Sequence, residues 1–83
     1  MPEKSPVTIY WRPGCGYCAG LRAELGELAD KAEWVNIWDA EDGAAFVRSV
    51  NDGNETVPTV VIDDIALTNP RPGIVAEKLA QLS

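Results

Sequence analysis

The chain has 83 residues, 46% of them hydrophobic, two cysteines, no histidine and a net charge of −6. That length predicts one domain spanning residues 1–83, with a small core in which three tryptophans carry much of the burial. Acidic residues spread along the whole chain argue against nucleic acid or an anionic membrane as partner. No apolar run reaches spanning length, and Met1-Pro2-Glu3-Lys4-Ser5-Pro6 lacks the apolar stretch of a secretory signal. A soluble, cytoplasmic protein is the expectation.

Val7-Thr8-Ile9-Tyr10-Trp11 is β-branched and aromatic, short, and bounded by Pro6 and Pro13, which predicts a buried central strand. A Pro13-Gly14 turn leads into a helix opening on Cys15. Cys18, Leu21, Leu25, Leu28 and Ala32 then recur at helical spacing, with Arg22, Glu24, Glu27 and Lys31 on the polar face and Gly26 a modest weak point. Trp34-Val35-Asn36-Ile37-Trp38 reads as a second strand, parallel to the first because a helix intervenes. Asp39 suits the cap of a second helix with Glu41 and Asp42 in its first turn, a stripe of Phe46, Val47 and Val50, and a stop at Asn51-Asp52-Gly53-Asn54. Thr59–Ile62 and Ile65–Leu67 flank Asp63-Asp64 as a tight hairpin, and Pro72 opens a last helix that buries Val75, Leu79 and Leu82.

The chemistry concentrates in Cys15-Gly16-Tyr17-Cys18. Unpaired N–H groups at a helix N-terminus favour a thiolate, and one helical turn brings Cys18 within disulfide reach of Cys15. A disulfide closing so short a loop would restrain the unfolded chain little, so a structural staple is a poor reading. A structural zinc site wants four ligands, whereas this chain supplies two cysteines and no histidine. No metal is expected. Arg12 is an isolated cation beside Cys15. Trp11, Trp34 and Trp38 read as core or sheet-surface residues, with Trp11 placed to reach the rim of the site.

The Cys15-Gly16-Tyr17-Cys18 motif, preceded by a strand and followed by Thr56-Val57-Pro58, resembles the glutaredoxin family of the thioredoxin superfamily along nearly the whole chain. Within that family, Asn51, Gly53-Asn54, Thr56-Val57-Pro58-Thr59-Val60 and Leu67-Thr68-Asn69-Pro70 look like the mycoredoxins, which serve the small thiol mycothiol. The resemblance implies a thioredoxin-like α/β fold in the order βαβαββα, a four-stranded mixed sheet with flanking helices. It implies Cys15 as nucleophile, Cys18 as resolving cysteine and a cis Pro58 facing them. The cis-proline leaves the backbone of Val57 free to pair with a substrate in strand fashion. Arg12, Tyr17, Thr68 and Asn69 are then candidates to hold the small thiol. Two departures bear on this. Thr68-Asn69-Pro70 replaces the Gly-Gly-acidic segment that holds the γ-glutamyl end of glutathione in the family, and Arg12 stands where a lysine is common.

The expected activity is thiol–disulfide oxidoreduction on mixed disulfides between proteins and a small thiol, with mycothiol as co-substrate and the protein a monomer. Cys15 would attack the mixed disulfide, release the protein thiol and keep the small thiol until a second small thiol or Cys18 resolves it. One alternative is a dithiol donor recharged by a flavoprotein reductase. Another, of a different class, is an iron–sulfur carrier with a cluster between two copies, disfavoured because Cys18 diverts Cys15 into a disulfide.

Overall fold

A computed structural model describes residues 5–82. Residues 1–4, most of the N-terminal segment read above, and Ser83, at the end of the last predicted helix, lie outside the described residues. Four strands and three α-helices follow the expected order: β1 (Val7–Trp11), α1 (Gly16–Leu25), β2 (Glu33–Asn36), α2 (Glu41–Val50), β3 (Thr59–Ile62), β4 (Ile65–Thr68) and α3 (Pro72–Ala80). The sheet order is β2-β1-β3-β4. Strand β1 lies inside it, parallel to β2 with Ile9 opposite Trp34, and antiparallel to β3 with Ile9 opposite Val60.

Alternation along β1 sends Val7 and Ile9 to one face and Thr8 and Tyr10 to the other. On the first face Val7, Ile9 and Val60 meet Leu21 and Leu25 of α1, Ala29, and Val75 and Leu79 of α3. On the second, Tyr10 packs on Phe46 of α2 with ring centroids 5.1 Å apart. Gly43 lets α2 approach this closely, since a Cβ there would fall 3.0 Å from Val35 Cγ1 and 3.3 Å from the Tyr10 ring.

Four local expectations are corrected. Helix α1 stops at Leu25 instead of running to Ala32. Gly26 takes φ 57° and returns its N–H to the Arg22 carbonyl, and a six-residue 3-10 segment, Gly26–Lys31, follows. The residue read as a weak point is a terminator. Strand β2 ends at Asn36, whose side chain accepts the Trp38 N–H at 2.9 Å and turns the chain, so Trp38 is exposed. Asp39 is not the cap of α2: that position is Ala40, and the Asp39 carboxylate instead accepts from Asn36 Nδ2 at 3.3 Å. Gly43, Ala44 and Val47 form the buried face of α2, while Val50 is 41% exposed. The Asp63-Asp64 hairpin is as expected, with φ of 48° and 76°, the two positive angles of a hairpin turn matched to strand twist.

Candidate active site

Strand β1 delivers Trp11 to a turn at which Gly14 adopts φ 80°, a left-handed conformation that favours glycine. The chain then enters α1 with Cys15 as its N-cap, in an extended conformation. The Cys18 N–H donates to Cys15 Sγ at 3.1 Å, which makes sulfur the capping acceptor of the helix. Its partner on the other side is Val57, whose carbonyl accepts from the Cys15 thiol at 3.6 Å. Cys15 is 9% exposed and Cys18 4%, and neither is in a disulfide.

Burial first, and then the hydrogen bond with Cys15, push the Cys18 thiol up from 9.0 to about 12, outweighing the lowering effect of the Arg12 backbone and charge. At neutral pH Cys18 is a protonated sulfur in contact with Cys15. Both cysteines are buried but unequal: Cys15 Sγ accepts the helix amide, whereas Cys18 keeps its proton.

The Val57–Pro58 peptide is cis and Pro58 is fully buried. Among the described residues the Val57 N–H has no acceptor. The Asn69 N–H donates to the Pro58 carbonyl at 2.8 Å, tying the end of β4 to this segment, and Asn69 adopts φ 47°. Thr68 donates its hydroxyl proton to Asn51 Oδ1 at 2.6 Å, which leaves it only acceptor capacity toward a bound thiol. Asn51 in turn donates to the Val47 carbonyl at 2.8 Å and to Thr59 Oγ1 at 3.2 Å, and Thr59 donates to the Thr56 carbonyl at 2.7 Å. Asn51 thus links α2, the 56–59 segment and β4. The sequence marks Asn51 as a helix stop and as part of the resemblance but not as this link, because no local pattern reveals a residue whose partners come from three elements.

Two opposite faces of α1 border the site. Tyr17, 72% exposed, shares a groove of about 260 Å³ with Gly16, Gly20, Asn69 and Pro70. Across the helix, Cys15, Cys18 and Arg22 share a larger cavity of about 450 Å³ with Trp11, Arg12 and Trp34. The Arg12 guanidinium folds back over the turn and donates to the Pro13 carbonyl at 3.3 Å. Trp11 does reach the site, as expected, and so does Trp34, which sequence reasoning leaves in the sheet. Of the expected residues, Cys15, Cys18, Arg12, Val57 and Pro58 converge, and Tyr17 and Asn69 meet on the adjoining groove. Thr68 stands behind them, engaged with Asn51.

A vicinal dithiol at a helix N-terminus, opposite a cis-proline on a mixed sheet, defines a thioredoxin-like α/β protein of the thiol–disulfide oxidoreductase class. The glutaredoxin family model matches residues 7–65. A protein of Mycobacterium tuberculosis assigned as a glutaredoxin is 41% identical over 78 residues, 93% of each chain. Mycoredoxin 1 of Corynebacterium glutamicum is 36% identical over 80 residues, 95% of this chain and 99% of that one. The chain belongs to the glutaredoxin family, and it is a redox enzyme of that family.

Proposed function

We propose that this protein reduces mixed disulfides between proteins and a low-molecular-weight thiol, with mycothiol as that thiol, acting as a cytoplasmic, single-domain monomer. The inequality of the two cysteines carries this reading. Cys15 Sγ receives the Cys18 N–H at 3.1 Å and is 9% exposed, whereas Cys18 is 4% exposed with its thiol pushed up to about 12. A buried, protonated thiol is a slow nucleophile, so the second step suits an external thiol better than Cys18. Kinship to a protein named mycoredoxin supports mycothiol as that external thiol.

In the first step the Cys15 thiolate attacks the small-thiol sulfur of the mixed disulfide. The Cys15–sulfur bond forms, the old S–S bond breaks, and its electron pair leaves on the protein sulfur, which takes up a proton. A second mycothiol thiolate then attacks the small-thiol sulfur held on Cys15, releasing the Cys15 thiolate and one mycothiol disulfide, so that one free mycothiol is consumed for each protein thiol restored. The cis Val57–Pro58 segment offers the free Val57 N–H to the backbone of the bound thiol. Tyr17, Thr68 and Asn69 border the space it would occupy, whereas Arg12, the fourth residue expected there, lines the cavity across α1.

The test is Cys18→Ser assayed with mycothiol, with glutathione and with a flavoprotein reductase as electron source. Substantial turnover with mycothiol, together with loss of dithiol-dependent reduction, is the expected result. A variant dead with mycothiol and trapped as a covalent adduct in the intact mass spectrum would instead favour a dithiol donor recharged by a reductase. The placement of Cys18 one turn from Cys15, with its N–H on Cys15 Sγ at 3.1 Å, is the observation that keeps this second reading in view.

A further inference from the structure

The Trp11–Trp34 cavity is not used by the small thiol in the proposed reaction, which places that thiol along Val57 and the Tyr17–Asn69 groove. Its cations differ in pairing from Arg48 and Lys78, although Lys31 and Arg71 are likewise in no ion pair among the described residues. Arg48 is neutralised by Glu41 at 2.7 Å and Glu55 at 2.6 Å, and Lys78 by Asp63 at 2.6 Å. Arg12 pairs with no carboxylate among the described residues. Arg22 has only Asp30 at 3.8 Å, with side chains 55% and 85% exposed. Both arginines nevertheless line one mostly apolar cavity that opens on Cys15 and Cys18.

Arg22 is also held in place. Its guanidinium lies 4.8 Å from the Trp34 ring centroid, and Trp34 is itself fixed by its indole N–H, which donates to the Ala29 carbonyl at 2.7 Å. Cation–π stacking orients a guanidinium while leaving its edge donors free for an anion. Because one face of Trp34 is already covered by Arg22, the cavity offers charge more than an open aromatic platform. No acidic residue lines it.

We propose that this cavity is the recognition site for the polypeptide half of the substrate, binding an aspartate or glutamate side chain near the disulfide-bonded cysteine, with Arg22 and Arg12 as its cationic partners. The proposal rests on Cys15 being the attacking sulfur but not on the identity of the small thiol. A leaving polypeptide on the Arg22 side and a retained small thiol on the Tyr17 side lie on opposite faces of α1, so the two halves of the substrate do not compete for space. Opposite charge in the cavity also speeds encounter with acidic segments, an effect that salt suppresses.

The experiment uses two peptides that differ only as Glu or Gln beside a single cysteine, each blocked by an uncharged mercaptoethanol disulfide. Reduced full-length protein is mixed with each peptide in single turnover, and free peptide thiol is counted by mass spectrometry. No external reductant is present, so failure of the mycothiol reading leaves the measurement intact. Each rate is divided by that of free mercaptoethanol thiolate, because a neighbouring carboxylate changes how well the peptide thiol leaves. The normalised preference for the Glu peptide should be about fivefold at low salt, the upper range of one exposed ion pair. It should shrink with added salt and fall toward unity in Arg22→Gln, and Arg22→Glu should reverse it in favour of the Gln peptide. A purely structural Arg22 would slow both peptides alike. Equal wild-type rates on the two peptides, or a preference that survives Arg22→Gln, would overturn the proposal. Absence of any peptide release would instead refute attack by Cys15 itself.

Discussion

Val7, Ile9, Leu21, Leu25, Ala29, Val60, Val75 and Leu79 close a carbon-only core between the sheet and helices α1 and α3, with none of them more than 3% exposed. At the cysteine end of the sheet, Cys15, Cys18, Ile37, Ala44, Val47 and Val57 form a second cluster backed by Tyr10, Trp11 and Phe46. There the exposure sits at Cys15 and Val57, 9% and 8%, the two residues joined by the thiol–carbonyl hydrogen bond. The first cluster is finished by folding. The second is left open at Cys15 and Val57, the residues proposed to meet a substrate, so on that proposal stability and reactivity fall to different sets of side chains on one small sheet.

The strongest way to break this division is at its reactive end. Cys15→Ser should reduce disulfide reduction to below detection, because Cys18 keeps its proton and is buried, while the circular-dichroism melt stays cooperative. Residual turnover would mean that Cys18 can act as nucleophile. At the closed end, Leu79→Ala should cost about 2–5 kcal/mol, read as a fall in the urea midpoint, since Leu79 is 0% exposed. The rate at which Cys15 is alkylated in the folded variant should stay within about twofold of wild type, as expected for distant independent sites. A larger change would show that the two clusters are not separate.

Two glycines sharpen the comparison on a smaller scale. At Gly43 a Cβ would meet Val35 Cγ1 at 3.0 Å. Gly43→Ala should therefore lower stability by about 1 kcal/mol, overpacking outweighing the gain in helix propensity. Gly20 lies inside α1 with nothing within 4 Å of a built Cβ, so Gly20→Ala should raise stability by about 0.5–1 kcal/mol. Chemical denaturation of both variants checks the pair, and equal signs would refute the packing account.

The last effect is a slope with pH. The folded-state Cys18 thiol is raised from 9.0 to about 12, so its contribution is fully present below 9.0 and is lost as pH climbs toward 12. Tyr10, raised above 10.0 by burial first and then by the charge of Glu33, acts in the same direction at the upper end. Melting temperatures of reduced protein followed from about pH 8 to about pH 11 should fall more steeply for wild type than for Cys18→Ser. Parallel curves would mean that folding does not favour the protonated Cys18.

The sequence by itself determined what depends on near neighbours along the chain. Strand β1 follows from five β-branched and aromatic residues between prolines, the hairpin from two aspartates between apolar runs, and the redox pair from the turn-length spacing of Cys15 and Cys18. Pro72 at the start of α3 is equally local. Tertiary structure decided what depends on groups distant in sequence or on competition between nearby ones. Gly26 terminates α1 because its N–H returns to Arg22 at a positive φ. Asp39 is drawn to Asn36 and away from the α2 cap. Thr68 gives its proton to Asn51, seventeen residues away, and Trp34 becomes the platform for Arg22 only once β2 lies beside α1. A side chain's pattern limits which face it occupies, but the partner that takes its hydrogen bond or charge is chosen by geometry that exists only after the sheet has assembled.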